Sequence, residues 1–187
     1  MSCADVRRLL ERHGVLLLQD KKLPSVAGAI AGQTLSASWW SHPRAHEIFQ
    51  CLKQIESEAV ATRLIGRKVT WVHNRLWPEL IAVGESNAPW QTDRLSAPAR
   101  RLLRSLEGPL SSPAQRAAAK ELQQRLLVVA DEVHSKSGRH ELQLTSWQDW
   151  ARRVRVRPHP SSDEALKSLE AAARSLGAPL SLLPWAS

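Results

Sequence analysis

The sequence predicts a mainly α chain with small β-hairpins, an α+β fold of two similar modules followed by C-terminal helices. Three observations carry that expectation. Apolar residues recur at helical spacing in both halves, a pair of β-prone stretches in each half flanks a glycine-containing turn, and Gly and Pro clusters separate these pieces.

In the first half, residues 4–13 are predicted helical, 15–18 form a short buried strand, and 24–31 form a helix opened by proline and closed by Gly32. A longer helix follows over 43–55. Its stripe is Ala45, Ile48, Phe49, Leu52 and Ile55, Pro43 takes the first position, and Arg44, Glu47, Gln50 and Gln54 fall largely outside. Strands over 59–64 and 69–73 are joined by Ile65-Gly66-Arg67-Lys68, where glycine permits a tight turn. Residues 75–84 add a helix, and Asn87-Ala88-Pro89 reads as a linker.

The second half repeats the order. Leu95, Ala99, Leu102, Leu103 and Leu106 make the inner stripe of a helix from which Arg100, Arg101 and Arg104 point elsewhere, and Gly108-Pro109 ends it. Ser112-Pro113 opens the next helix, which runs to about Arg125. Ala118, Leu122 and Leu126 lie on its inner side, leaving Gln115, Arg116, Lys120 and Gln123 on the outer. A β-rich stretch starts at Leu127, and residues 140–145 alternate polar and apolar as a half-buried strand does, with Lys136-Ser137-Gly138-Arg139 as the hairpin tip. Residues 146–155 form a helix anchored by Trp147 and Trp150. Ser161 with Glu164 is a capping-box pattern before a last amphipathic helix that Gly177-Ala178-Pro179 stops. The expected division is 1–88, 89–157 and a capping segment 158–187.

Composition narrows the function. The 187 residues can bury a core in one or two domains, and 43% hydrophobic with 24% charged residues is globular composition. A formal charge of +8 and a pI near 10.3 favour acidic partners, nucleic acid ahead of membrane, with an acidic protein as the other option. The charge is uneven: residues 94–125 hold seven Lys or Arg against two Glu. Cys3 and Cys51 form no CxxC, so free thiols in a reducing, cytoplasmic compartment are expected. No apolar run is long enough for a signal peptide or a membrane span.

Within the basic half, Arg116, Lys120, Gln115 and Gln123 suit a duplex groove, since Arg and Gln make paired hydrogen bonds to base edges and Lys serves a phosphate. Arg100, Arg101 and Arg104 would lie near the backbone, with Lys136 and Arg139 at the hairpin tip and Arg152, Arg153, Arg155 and Arg157 as a second basic cluster that is either a second DNA contact or a solvated connector. The plain alternative is a solvated helix face. The other constellation is Trp39-Trp40-Ser41-His42-Pro43-Arg44, where Trp39 or Trp40 could stack on an exposed base, Arg44 meet a phosphate and His42 reach the sugar or base as the candidate catalytic group. Against that stands a structural reading in which both indoles pack inside and His42 fixes the helix start. His42 and His46 lie four apart, yet no HExxH or cysteine pair accompanies them, so no metal and no cofactor are expected.

The two-module order with its basic second half resembles bacterial tandem winged-helix proteins, including DNA glycosylases that excise bulky or crosslinked bases. Segments like Ser38-Trp39-Trp40-Ser41-His42-Pro43 and Arg75-Leu76-Trp77-Pro78 also resemble those of other bacterial proteins. The resemblance implies binding of double-stranded DNA through the second module, and its glycosylase branch implies base excision aided by a Gln-x-Gln pair. This chain holds no Gln-x-Gln. Gln123 and Gln124 are adjacent on a helix and diverge by about 100°, so binding is the leading expectation and excision the alternative.

Overall fold

In the computed structural model, which describes residues 1–106, 110, 112–134, 140–157 and 161–186, the chain opens on α1 (Cys3–His13). The Ser2 hydroxyl accepts from the Asp5 amide and the Asp5 carboxylate accepts from the Ser2 amide, closing a capping box. Gly14, at φ 75°, turns the chain into β1 (Val15–Leu17), whose three residues are all buried. Helix α2 (Val26–Ala31) is opened by the Ser25 hydroxyl, which accepts from the Gly28 amide at 3.1 Å; Pro24 stands before the cap and does not open the helix.

A 3₁₀ turn, Trp39–Ser41, precedes α3 (Ala45–Ile55). Pro43 lies outside α3, because His42 Nδ1 accepts from the Arg44 amide at 3.2 Å and the His42 carbonyl accepts from the Ala45 amide, a turn that delays the helix by two residues. Strands β2 (Ala59–Ile65) and β3 (Lys68–His73) complete an antiparallel sheet in the order β1-β3-β2, with Val72 opposite both Val15 and Val60. Gly66 and Arg67 join the strands at φ 58° and 59°, the doubly positive pair that follows the natural twist of a hairpin. A 3₁₀ turn and α4 (Trp77–Gly84) end this half.

The chain continues through α5 (Pro89–Thr92), α6 (Ala97–Arg104), α7 (Pro113–Gln124), the antiparallel pair β4 (Val129–His134) and β5 (His140–Thr145), α8 (Trp147–Val154) and α9 (Ser162–Ser175). Two 3₁₀ turns, Leu180–Leu182 and Pro184–Ala186, finish it. The stop at Gly108-Pro109 and the tip Lys136-Ser137-Gly138-Arg139 lie outside the described residues.

Burial separates two apolar clusters. The larger joins α1 to α4 and their sheet with Leu126, Val129, Trp147, Trp150 and the inner faces of α8 and α9. The smaller sits between α6, α7 and the β4-β5 ribbon, around Ala99, Ala118, Leu122, Val128 and Leu144. Trp147 belongs to the larger cluster: its ring lies against the backbone of Gly84 and its Nε1 donates to the carbonyl of Leu126, just after α7, at 2.7 Å. Beside it, fully buried Gln91 accepts from the Ala88 amide and the Ser86 hydroxyl, and its amide donates to the carbonyls of Val83 and Arg125.

The expectation of free thiols is overturned. Cys3 and Cys51 form a disulfide with Cα atoms 5.3 Å apart, because α1 packs against α3 and sets the first residue of one beside the buried face of the other. Among the described residues no helix is long and apolar enough to cross a membrane.

Candidate nucleic-acid interface

Helix α6 starts where the Ser96 hydroxyl accepts from the Ala99 amide at 3.2 Å, and Glu121 of α7 accepts from the Ser96 amide and hydroxyl at 2.8 and 2.6 Å. That carboxylate fastens the start of α6 to α7 and favours the positive helix end. The inner face buries Leu95 and Ala99, with Leu102 and Leu103 half-buried, so Arg100, Arg101 and Arg104 stand exposed on the other side.

Ser112 caps α7, and Pro113 takes its first turn as the sequence implies. Ala118, Ala119 and Leu122 are buried, Arg116 and Lys120 are exposed, and Gln123 is half-buried. Gln115 is exposed, but its Oε1 accepts from the Ser112 amide and hydroxyl at 3.0 and 3.2 Å, which ties it to the helix start. No carboxylate of the described residues pairs with Arg100, Arg101, Arg104, Arg116 or Lys120.

The second basic cluster differs. Arg152 pairs with Asp149 at 2.6 Å and Arg153 pairs with Asp131 of β4, so these two already face carboxylates, while Arg155 and Arg157 are exposed and pair with no carboxylate of the described residues. Lys136 and Arg139 fall outside the described residues.

The tryptophan pair divides its roles. Trp39 is buried at 6% exposure, whereas Trp40 is 63% exposed and stacks on it, with centroids 3.9 Å apart and planes 26° apart. Burying one indole therefore provides a flat apolar base that holds the other in solvent. Arg44 is committed locally: it pairs with Glu47, which raises its pKa above the ordinary guanidinium value, and it donates to the Ile30 carbonyl. His42 is half-buried and holds the turn into α3 through its ring nitrogen. Among the described residues no group of three His, Cys, Asp or Glu side chains is placed to hold a metal ion.

Three cations that the sequence did not place at the interface individually lie beside α7: Arg67, Arg94 and Arg125 line one cleft. They stand apart in sequence: Arg94 and Arg125 are the two ends of the basic stretch 94–125, and Arg67 sits in the Gly66-Arg67 turn. Comparison with known proteins brings no family to this arrangement: no family model matches the chain, and no curated protein or solved structure does either.

Proposed function

We propose that the chain is a double-stranded DNA-binding protein in which α6, α7 and the β4-β5 ribbon act as a winged-helix module. The N-terminal half, with its order of helix, strand, two helices and hairpin, is a second, related module whose sheet has three strands where β4-β5 has two. The observation that carries the reading is the exposed set Arg100, Arg101, Arg104, Arg116 and Lys120 on two adjacent helices, held by a small apolar core and unmatched by carboxylates among the described residues. In this arrangement α7 enters a groove, α6 faces the backbone and the ribbon acts as the wing. Binding is mostly electrostatic, through phosphates, and weakens with salt.

The test is the affinity for labelled duplex DNA across a salt series, with Arg116→Ala/Lys120→Ala beside the wild type. Lys120 serves a phosphate while Arg116 reads base edges in the groove, so the double substitution is expected to weaken binding and flatten the logarithmic salt dependence by about 0.9. Absence of duplex binding at low salt would overturn the reading and point to an acidic protein partner.

A second reading, excision of a flipped modified base, is favoured by the solvent-held indole of Trp40. Its mark is alkali-labile breaks in damaged duplexes that Trp40→Ala abolishes. Intact substrate after alkali treatment removes it.

A further inference from the structure

Beside the basic row of α7 lies a cleft of about 900 Å³, walled by the Gly66-Arg67 turn, the segment around α5, the end of α7 and the C-terminal turns. Helical spacing joins it to the row. Arg116, Lys120 and Gln124 are four residues apart, so they stack along one face of α7, and Gln124 lines the cleft. From 116 to 124 the helix rises about 12 Å, on the order of three to four base-pair steps.

The cleft's cations are unevenly opposed. Arg67 and Arg94 are exposed and pair with no carboxylate of the described residues. Arg125 donates to the carbonyls of Trp90, Gln91 and Arg94, which fixes the wall, and it pairs with no carboxylate of the described residues. Of the acids on the same walls, Glu121 is engaged at the start of α6, leaving exposed Asp93. The turn bearing Arg67 is held in place, since the Gly66 amide donates to the Leu182 carbonyl at 2.8 Å.

We infer that this cleft continues the DNA interface, taking backbone phosphates of the same duplex on Arg67 and Arg94. The bound DNA then runs off the end of α7 onto the hairpin turn of the N-terminal half, and both halves grip one duplex. This rests on the DNA-binding reading of α6 and α7. The contacts are guanidinium to phosphate, which position the duplex without reading its sequence.

The experiment is a salt series on labelled duplex with Arg67→Asn/Arg94→Gln, Asn being at ease at positive φ. Both side chains are exposed, so the melting temperature is expected to match the wild type. The logarithmic salt slope is expected to flatten by about 1.8, equally for unrelated duplex sequences. An unchanged slope, with Arg116→Ala/Lys120→Ala still flattening it, overturns the cleft contact and leaves the α6-α7 interface standing. A wild type that binds no duplex at low salt overturns both.

Discussion

Gly84→Ala sets two physical effects against each other with opposite signs. Gly84 is the last residue of α4 and has no positive φ, so helix propensity alone predicts that alanine stabilises by up to about 1 kcal/mol. The structure predicts the reverse. A Cβ there falls 2.3 Å from Trp147 Cδ1 and 2.4 Å from its Nε1, and the indole is buried at 2% exposure, so the ring or the α4 backbone must shift within the core. Overpacking of this kind costs about 1–3 kcal/mol. Displacing the ring also strains the hydrogen bond from Trp147 to the Leu126 carbonyl, worth about 1 kcal/mol. Net of propensity, the loss is about 2 kcal/mol, a fall in Tm of about 4–8 °C for a chain of this size. Urea and thermal unfolding read it directly. In a Trp147→Leu background the same substitution is expected to be neutral or stabilising, because the clash is gone. A Tm for Gly84→Ala equal to or above the wild type would refute the packing of the indole on the α4 backbone.

Gln91→Leu keeps the volume but leaves the Ala88 amide without its acceptor and removes the donor to Arg125; a loss of about 2 kcal/mol in urea unfolding is expected, and an unchanged midpoint would count against this junction. The Cys3–Cys51 crosslink closes a long loop and is expected to contribute about 2–4 kcal/mol. Peptide mapping without reductant should recover both cysteines in one linked fragment, and two alkylatable thiols in the native protein would contradict it. Burial pushes the Asp20 carboxyl up, but the Lys68 ammonium at 2.5 Å and the amides of Leu23 and Lys22 outweigh it and hold its pKa below the usual range. Because the folded value lies below the unfolded one of about 4, this stabilisation is present above pH 4 and is lost as pH falls through the folded value. Asp20→Asn should lower Tm at neutral pH and flatten the acid limb of a pH series; a parallel acid limb would show that Asp20 does not drive it.

Much of the local plan is legible because it rests on short-range chemistry. The capping box at Ser161 and Glu164, the Ser112-Pro113 start, the glycine turn at Gly66 and the buried stripes of α3 and α7 each follow from residues within one or two turns of each other. The exposure of Arg100, Arg101, Arg104, Arg116 and Lys120 follows likewise from helical phase. What is not legible depends on contacts across the chain. Two adjacent indoles carry the same hydrophobicity, so nothing local says that Trp39 faces in and Trp40 out; that depends on the 3₁₀ turn and on Gln19, whose Oε1 accepts from the Trp39 amide. Cys3 and Cys51 meet only through the packing of α1 on α3, and Gln91 looks like any linker glutamine until its buried partners surround it. Gln115 shows the opposite limit: its type suits base recognition and helix capping alike, and only geometry reveals the cap.

The smaller core explains why the basic helices depend on the rest of the chain. A few alanines and leucines under two helices and a two-stranded ribbon bury little apolar surface, and an isolated ribbon of that kind is marginal in water. The chain compensates by sending residues from within and just after this unit into the larger cluster: Leu126 and Val129 between α7 and the ribbon, and Trp147 and Trp150 after β5. Trp147 then bears on Gly84, while Arg125 grips the carbonyls of Trp90, Gln91 and Arg94. Both anchors sit at the C-terminal end of α7, the end that opens onto the cleft. The row Arg116, Lys120 and Gln124 is therefore fixed in direction relative to Arg67, so under the proposed DNA-binding reading a duplex on the exposed helices would meet an N-terminal half already in place, with little ordering left to oppose binding.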